Sequence, residues 1–314
     1  MSYDEIMGDC QIDSPHFYSM GMENHTFMGG IMEGLTMDLT RTVPADTVAF
    51  MTAGGIILLS MIIVMAIIIV KRYDAKFLPA VVGIVTYFIL AYGAGEGLIM
   101  ILSYVPGLFN SLVVYCVIRA IIIAGFLAVG RHIIFSVFLK DTPEFGDSLI
   151  IGLGIGAGAA LMFGIDLISG ITVCNIVNNI GLETLVSDLT AEEAESLVAS
   201  IEIFFTLDKT VYLLRSINVV IDVLFNIVIC EVAYGVSRKL LEFKWSIIAA
   251  AFNAAVLLPS VLFDYGFIGN AYMATGIKLA IFVAVVLVVL NLDSRYIGGK
   301  LREYKPLRQS GIKK

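Results

Sequence analysis

Seven stretches of this chain stay apolar for a membrane-spanning length: 48–70, 77–103, 111–139, 147–172, 210–237, 245–263 and 272–292. A bilayer core takes about 20 apolar residues per helix. Each stretch is therefore expected to span a membrane, and 111–139 and 210–237 are long enough to tilt or to project beyond it. The alternating ten-residue segments of a transmembrane β-barrel do not occur. The expected fold is an all-α polytopic bundle of about seven transmembrane helices.

Between the spans the pattern changes. Thr190-Ala-Glu-Glu193 reads as a capping box. The residues after it put Ala194, Leu197, Val198, Ile201 and Phe205 on one face, so an amphipathic helix is expected over about 191–206. It would lie on the membrane surface or cover an opening between helices. Residues 1–47 form a polar, acidic extension with no basic segment ahead of an apolar one, unlike a signal peptide. Residues 293–314 form a basic tail suited to anionic membrane lipid.

Charge sets the expected orientation. Fourteen Lys and Arg fall on one side of the spans, from Lys71, Arg72 and Lys76 to the tail, against Arg41 and Lys209 on the other. Positive loops stay inside, which places the N-terminus outside and the C-terminus inside. The composition, 59% hydrophobic and 15% charged, suits an integral membrane protein, expected in a prokaryotic cytoplasmic membrane. The net charge of −7 is spread as acids outside and bases inside, and nothing points to nucleic acid. Cys10, Cys116, Cys174 and Cys230 follow no CxxC spacing. Seven methionines with His16 and His25 lie in residues 1–47. Such ligands suit Cu(I), but their spacing matches no metal motif. The expectation is no metal and no cofactor.

Polar residues inside the spans carry the candidate chemistry, because ionisable groups at bilayer depth are costly and face the bundle interior. They are Glu96, Arg119, Arg131, Asp166, Arg215, Asp222 and Lys278, with Glu231 near an inner end. Arg215, Asn218, Asp222 and Asn226 are spaced 3, 4 and 4 and form one stripe, with Val219 and Ile227 expected to face lipid. The stripe either hydrogen-bonds to other helices or lines a polar cavity. Glu96, Arg119, Asp166, Arg215 and Lys278 all fall in the outer half, where three cations meet two anions and leave a positive excess. Gly152, Gly154, Gly156 and Gly158 make two overlapping GxxxG pairs, a signature of close helix packing.

Tests for hydrolytic chemistry fail. There is no HExxH, no Gly-x-Ser-x-Gly and no carboxylate pair spaced as in EExxxR. Yet Ala124-Gly-Phe-Leu-Ala-Val-Gly-Arg131, the Phe138-Leu-Lys140 helix end, Gly152-Leu-Gly-Ile-Gly-Ala-Gly-Ala-Ala160 and Lys76-Phe-Leu-Pro-Ala-Val-Val-Gly83 together resemble the YhfC-type intramembrane metalloproteases. Those are relatives of the CAAX-protease and bacteriocin-processing (CPBP) group. The likeness runs from about 50 to 262. It implies the glutamic-type intramembrane protease architecture and argues against the activity. Arg131 matches the family's Arg, while its two glutamates are replaced within Phe126, Leu127 and Ala128. Ile155 stands at a His position, Ala159 at a Glu, and Asp222 and Asn253 near two further His positions.

The resemblance implies a pseudoprotease that binds a peptide or a partner's membrane segment. One alternative is an active protease with substituted residues, Arg131 working with Asp166 or Asp222 and Asn253 nearby. Another is a transporter or sensor subunit, with Glu96, Arg119, Arg215, Asn218, Asn226 and Lys278 lining a polar cavity.

Overall fold

A computed structural model describes residues 39–109, 111–139 and 144–298 of the chain. Most of the methionine-rich extension, Lys140 and the basic tail beyond 298 lie outside the described residues. Seven long apolar helices dominate: α1 Ala45–Tyr73, α2 Leu78–Ser103, α3 Leu112–Phe138, α4 Phe145–Ile180, α8 Thr210–Ser237, α9 Lys244–Asp264 and α10 Ala271–Ile297. Three short helices, α5 Leu182–Val186, α6 Ala191–Ile201 and α7 Ile203–Thr206, lie between α4 and α8. No strand occurs among the described residues. The protein is an all-α polytopic bundle, and its apolar helices are long enough to cross a bilayer.

The described residues fall into two compact units, one drawn from Met1–Val48 and Ile168–Asp208, the other from Ala49–Leu167 and Lys209–Lys314. In the larger unit α4 and α8 are central. Of their most apolar eighteen residues, 67% and 61% are buried, against 17–28% in the other five long helices. Their burial explains why polar residues concentrate on α8: a central helix meets neighbours on every side and little lipid.

Glycine makes this approach possible, and the two GxxxG pairs serve different partners. A Cβ on Gly152 would lie 2.6 Å from Ile227 Cα, and one on Gly156 would lie 2.6 Å from Val223 Cα, both on α8. A Cβ on Gly154 would sit 3.0 Å from Ala80 Cα, and one on Gly158 would sit 2.7 Å from Tyr87 Cβ, both on α2. One glycine stripe thus admits α8 and the next admits α2. Ile227, expected to face lipid, is instead 5% exposed because it packs at Gly152. Three helices widen into π-helical turns, α2 at Tyr87–Gly95, α3 at Ile134–Phe138 and α10 at Asp293–Ile297. Such turns are rare and cluster at functional sites.

Within the smaller unit, the fourth long helix continues to Ile180, eight residues past the expected end of its span at 172. The polar residues that end the hydropathy signal hold it: Asn178 accepts from the Val43 N–H at 2.7 Å and donates to the Val43 carbonyl at 3.0 Å. The Thr190 capping box forms in both directions. The helix expected over 191–206 breaks at Glu202 into α6 and α7, so Phe204 is buried in place of Phe205. Glu202 there accepts a two-pronged contact from Arg41, at 3.1 and 2.5 Å. The Arg41 guanidinium also lies 4.5 Å from the Phe205 ring centre.

Candidate functional site

The α8 stripe forms one face, but its members reach three different helices. Arg215 donates to Asp264 at the end of α9, at 2.7 Å. Asp222 accepts from Lys278 of α10 at 2.8 Å, and the same ammonium donates to Ser260 of α9 at 3.0 Å. Asn226 accepts from Arg131 of α3 at 2.5 Å and donates to the Asp222 backbone carbonyl at 2.8 Å. Asn218 is buried, and its Oδ1 has no hydrogen-bond partner among the described residues; the same is true of Asn253 Nδ2 and Thr275 Oγ1.

These pairings correct the expected positive excess. Arg119 meets Glu96 at 2.6 Å and donates to Tyr265 at 2.8 Å, and the Tyr265 hydroxyl donates to Tyr115 at 3.1 Å. Arg215 finds Asp264, which the expected span ending at 263 left out. Lys278 takes Asp222. Each of the three cations therefore has its own carboxylate. Asp166 is half-buried on α4. The Asp222 carboxylate turns to Lys278, and Arg131 donates to the Asn226 amide, so the structure does not pair Arg131 with Asp222.

Arg131 is the exception. It is 3% exposed, and it donates to the uncharged amide of Asn226. Nε and Nη1 have no hydrogen-bond partner among the described residues. The Cys230 thiol of α8 faces the same guanidinium. Unpaired buried charge costs several kcal/mol, so this arrangement needs a reason. The space beside Arg131 supplies one. A cavity of about 620 Å³ opens between α3, α8, α9 and the α8–α9 turn, lined by Arg131 with His132, Lys239 and Glu242 among the polar groups. The turn is held by Lys239 at φ 58°, in the left-handed region. Glu242, exposed at the rim, pairs with Lys244 at 2.8 Å. Asn253 stands one helical turn deeper on α9 than Ala249, which lines the cavity. The cavity belongs to the basic end of the bundle, which the loop charges assign to the inside.

Of the positions that the resemblance sets against catalytic groups, Asp222 pairs with Lys278, while Leu127 and Ile155 are apolar and buried. Leu127 is 3% exposed and Ile155 is fully buried in the apolar core. Among the described residues, no three His, Cys, Asp or Glu converge to hold a metal ion. Cys116, Cys174 and Cys230 are buried free thiols.

Asp264, Ser260, Tyr265 and the cavity were not read from the sequence. Asp264 lies one residue past a hydropathy boundary. Ser260 sits beside Pro259 within an apolar run, where a hydroxyl carries little signal. The chain matches no family model, no curated protein and no solved structure.

Proposed function

We propose that this chain is a membrane-embedded binding protein of protease-like architecture, which holds a peptide or a partner's membrane segment without cleaving it. The observation that carries the reading is Ile155. Where the resembled family places a metal-binding His, this chain has a fully buried aliphatic side chain within the apolar core. Ala128 and Ala159 likewise offer no group able to activate water. General acid–base help is worth about 10²–10⁴-fold, and a bound metal adds several kcal/mol of charge stabilisation. Without both, cleavage falls to background. The proposed setting is a prokaryotic cytoplasmic membrane.

The test is metal analysis of the purified protein together with incubation against candidate membrane substrates. The expected result is no stoichiometric metal and no cleavage above background. A stoichiometric zinc that leaves on substitution of Asp166, Asp222 or Asn253 would instead support an active enzyme.

One observation favours a second reading, a transporter or sensor subunit. Lys278, Asp222 and Ser260 form a buried polar centre, and Asn218, Asn253 and Thr275 carry polar atoms without partners on the same three helices. Such atoms suit a hydrated solute path. Uptake or solute-binding assays on vesicles holding the protein separate this reading from the first.

A further inference from the structure

The Arg131 cavity carries an inference that stands independently of the protease-like reading. Its chemistry is that of an anion site. Two of the three guanidinium nitrogens of a nearly fully buried Arg have no partner, and the residue lines the cavity. His132 and Lys239 line the same space, so the donors outnumber the two oxygens of a single carboxylate. The one acid in the lining, Glu242, is drawn to Lys244. A phosphate, with more charge and more acceptor oxygens, matches this set. Arginine is well suited to such groups because its donors are fixed and its charge is permanent.

Depth agrees. The 27-residue α3 rises about 40 Å, against a hydrocarbon core of about 30 Å. Its ends therefore reach into the headgroup layer. Arg131 is seven residues from Phe138, the last residue of α3, or about 10 Å along the axis. Its long side chain spans much of the remaining distance to the headgroup level. Apolar walls, including Phe135, Ile229 and Phe243, accompany the charged groups, as an amphiphile requires. Basic pockets between transmembrane helices on the inner side are known to take lipid headgroups.

We propose that the cavity between α3, α8 and α9 binds a phosphate group presented at the inner membrane surface, with Arg131 as its anchor and Lys239 at its mouth. The group is supplied by an acidic phospholipid or by soluble phosphate. The test uses the purified full-length protein in phosphate-free detergent and follows its melting temperature. It is titrated separately with inorganic phosphate, with short-chain phosphatidylglycerol, and with acetate at matched ionic strength.

A saturable rise of several degrees with a phosphate-bearing probe and none with acetate is expected. A rise with inorganic phosphate assigns a soluble source, and a rise with the lipid alone assigns the membrane. Arg131→Gln is expected to raise the half-saturating concentration at least tenfold. Lys239→Gln, on an exposed turn, should raise it severalfold with folding intact, and it decides the matter should Arg131→Gln fail to fold. A flat response to both phosphate probes, an equal response to acetate, or a half-saturation unchanged in the folded variants would overturn the proposal. Bound zinc or proteolysis would sink the binding-without-cleavage reading and leave this site standing; a flat phosphate titration does the reverse.

Discussion

Lys278 and Arg131 are both cations almost wholly removed from the surface, at 1% and 3% exposure, and both are held by the same helix, α8. They differ in what α8 offers. Asp222 gives Lys278 a full negative charge, and Ser260 adds a second acceptor. Asn226 gives Arg131 an uncharged amide and leaves two nitrogens unpartnered. A buried cation with its own carboxylate is explained by the fold alone. One without a carboxylate, beside an open cavity, is explained by something that arrives from outside the fold.

The contrast can be broken most severely at Asp222. Asp222→Leu strands the Lys278 ammonium in the core, and removing one partner of a buried pair costs about 3–5 kcal/mol. Unfolding of the detergent-solubilised variant should show a loss of that size. Tolerance of the change would mean that Lys278 is as independent of its partner as Arg131.

Glu96→Gln should be milder. The Glu96–Arg119 contact is partly exposed, and Arg119 keeps the Tyr265 hydroxyl. A hydrogen bond to a charged group is worth about 1.5–3 kcal/mol, so a loss at the lower end of that range is expected in the same measurement. Asp264→Asn should be milder still, because the Asp264 side chain is 44% exposed and solvent-accessible pairs are worth about 0–1 kcal/mol. The ranking Asp222, Glu96, Asp264 is the prediction; a reversed order would undo the link drawn here between burial and dependence on a partner.

The smallest effect concerns a carboxylate in water. The Thr190 backbone N–H and hydroxyl hold Glu193 below the usual carboxylate range. Its capping contribution is therefore complete above the unfolded pKa of about 4.3 and is lost as pH falls through the lower folded value. The N-terminal turn of α6 should fray only at acidic pH, with Glu193→Gln removing the pH dependence. Titration of the Glu193 side chain by NMR at or above the unfolded value would contradict the capping box.

Much of this molecule is legible in its sequence, and the boundary of legibility is physical. Hydropathy marks the seven long helices because lipid imposes that composition on each locally. The α8 stripe and the Gly152–Gly158 series show because helical periodicity places their members on faces. Pairing is different. That Arg215 meets Asp264 while Asp222 turns from Arg131 to Lys278 depends on how three helices are rotated against α8, which no single helix encodes. Asn178 shows the same limit: its polarity ends the apolar run, yet its bonds to Val43 continue the helix. The Arg131 cavity is the extreme case, visible only once Arg119, Arg215 and Lys278 have been given their carboxylates.

The account rests on Arg131 serving a ligand and not the fold, and Arg131→Met tests that most directly. The substitution removes an unpaired buried charge, which relieves several kcal/mol of desolvation. It also leaves the Asn226 oxygen without its donor, which costs about 1–3 kcal/mol. Equilibrium unfolding in phosphate-free detergent should place Arg131→Met within about 1 kcal/mol of the parent protein, or above it, by the balance of those two terms. A loss of about 3 kcal/mol or more, matching that expected for Asp222→Leu, would show that Arg131 is a structural cation like Lys278 and would contradict the account.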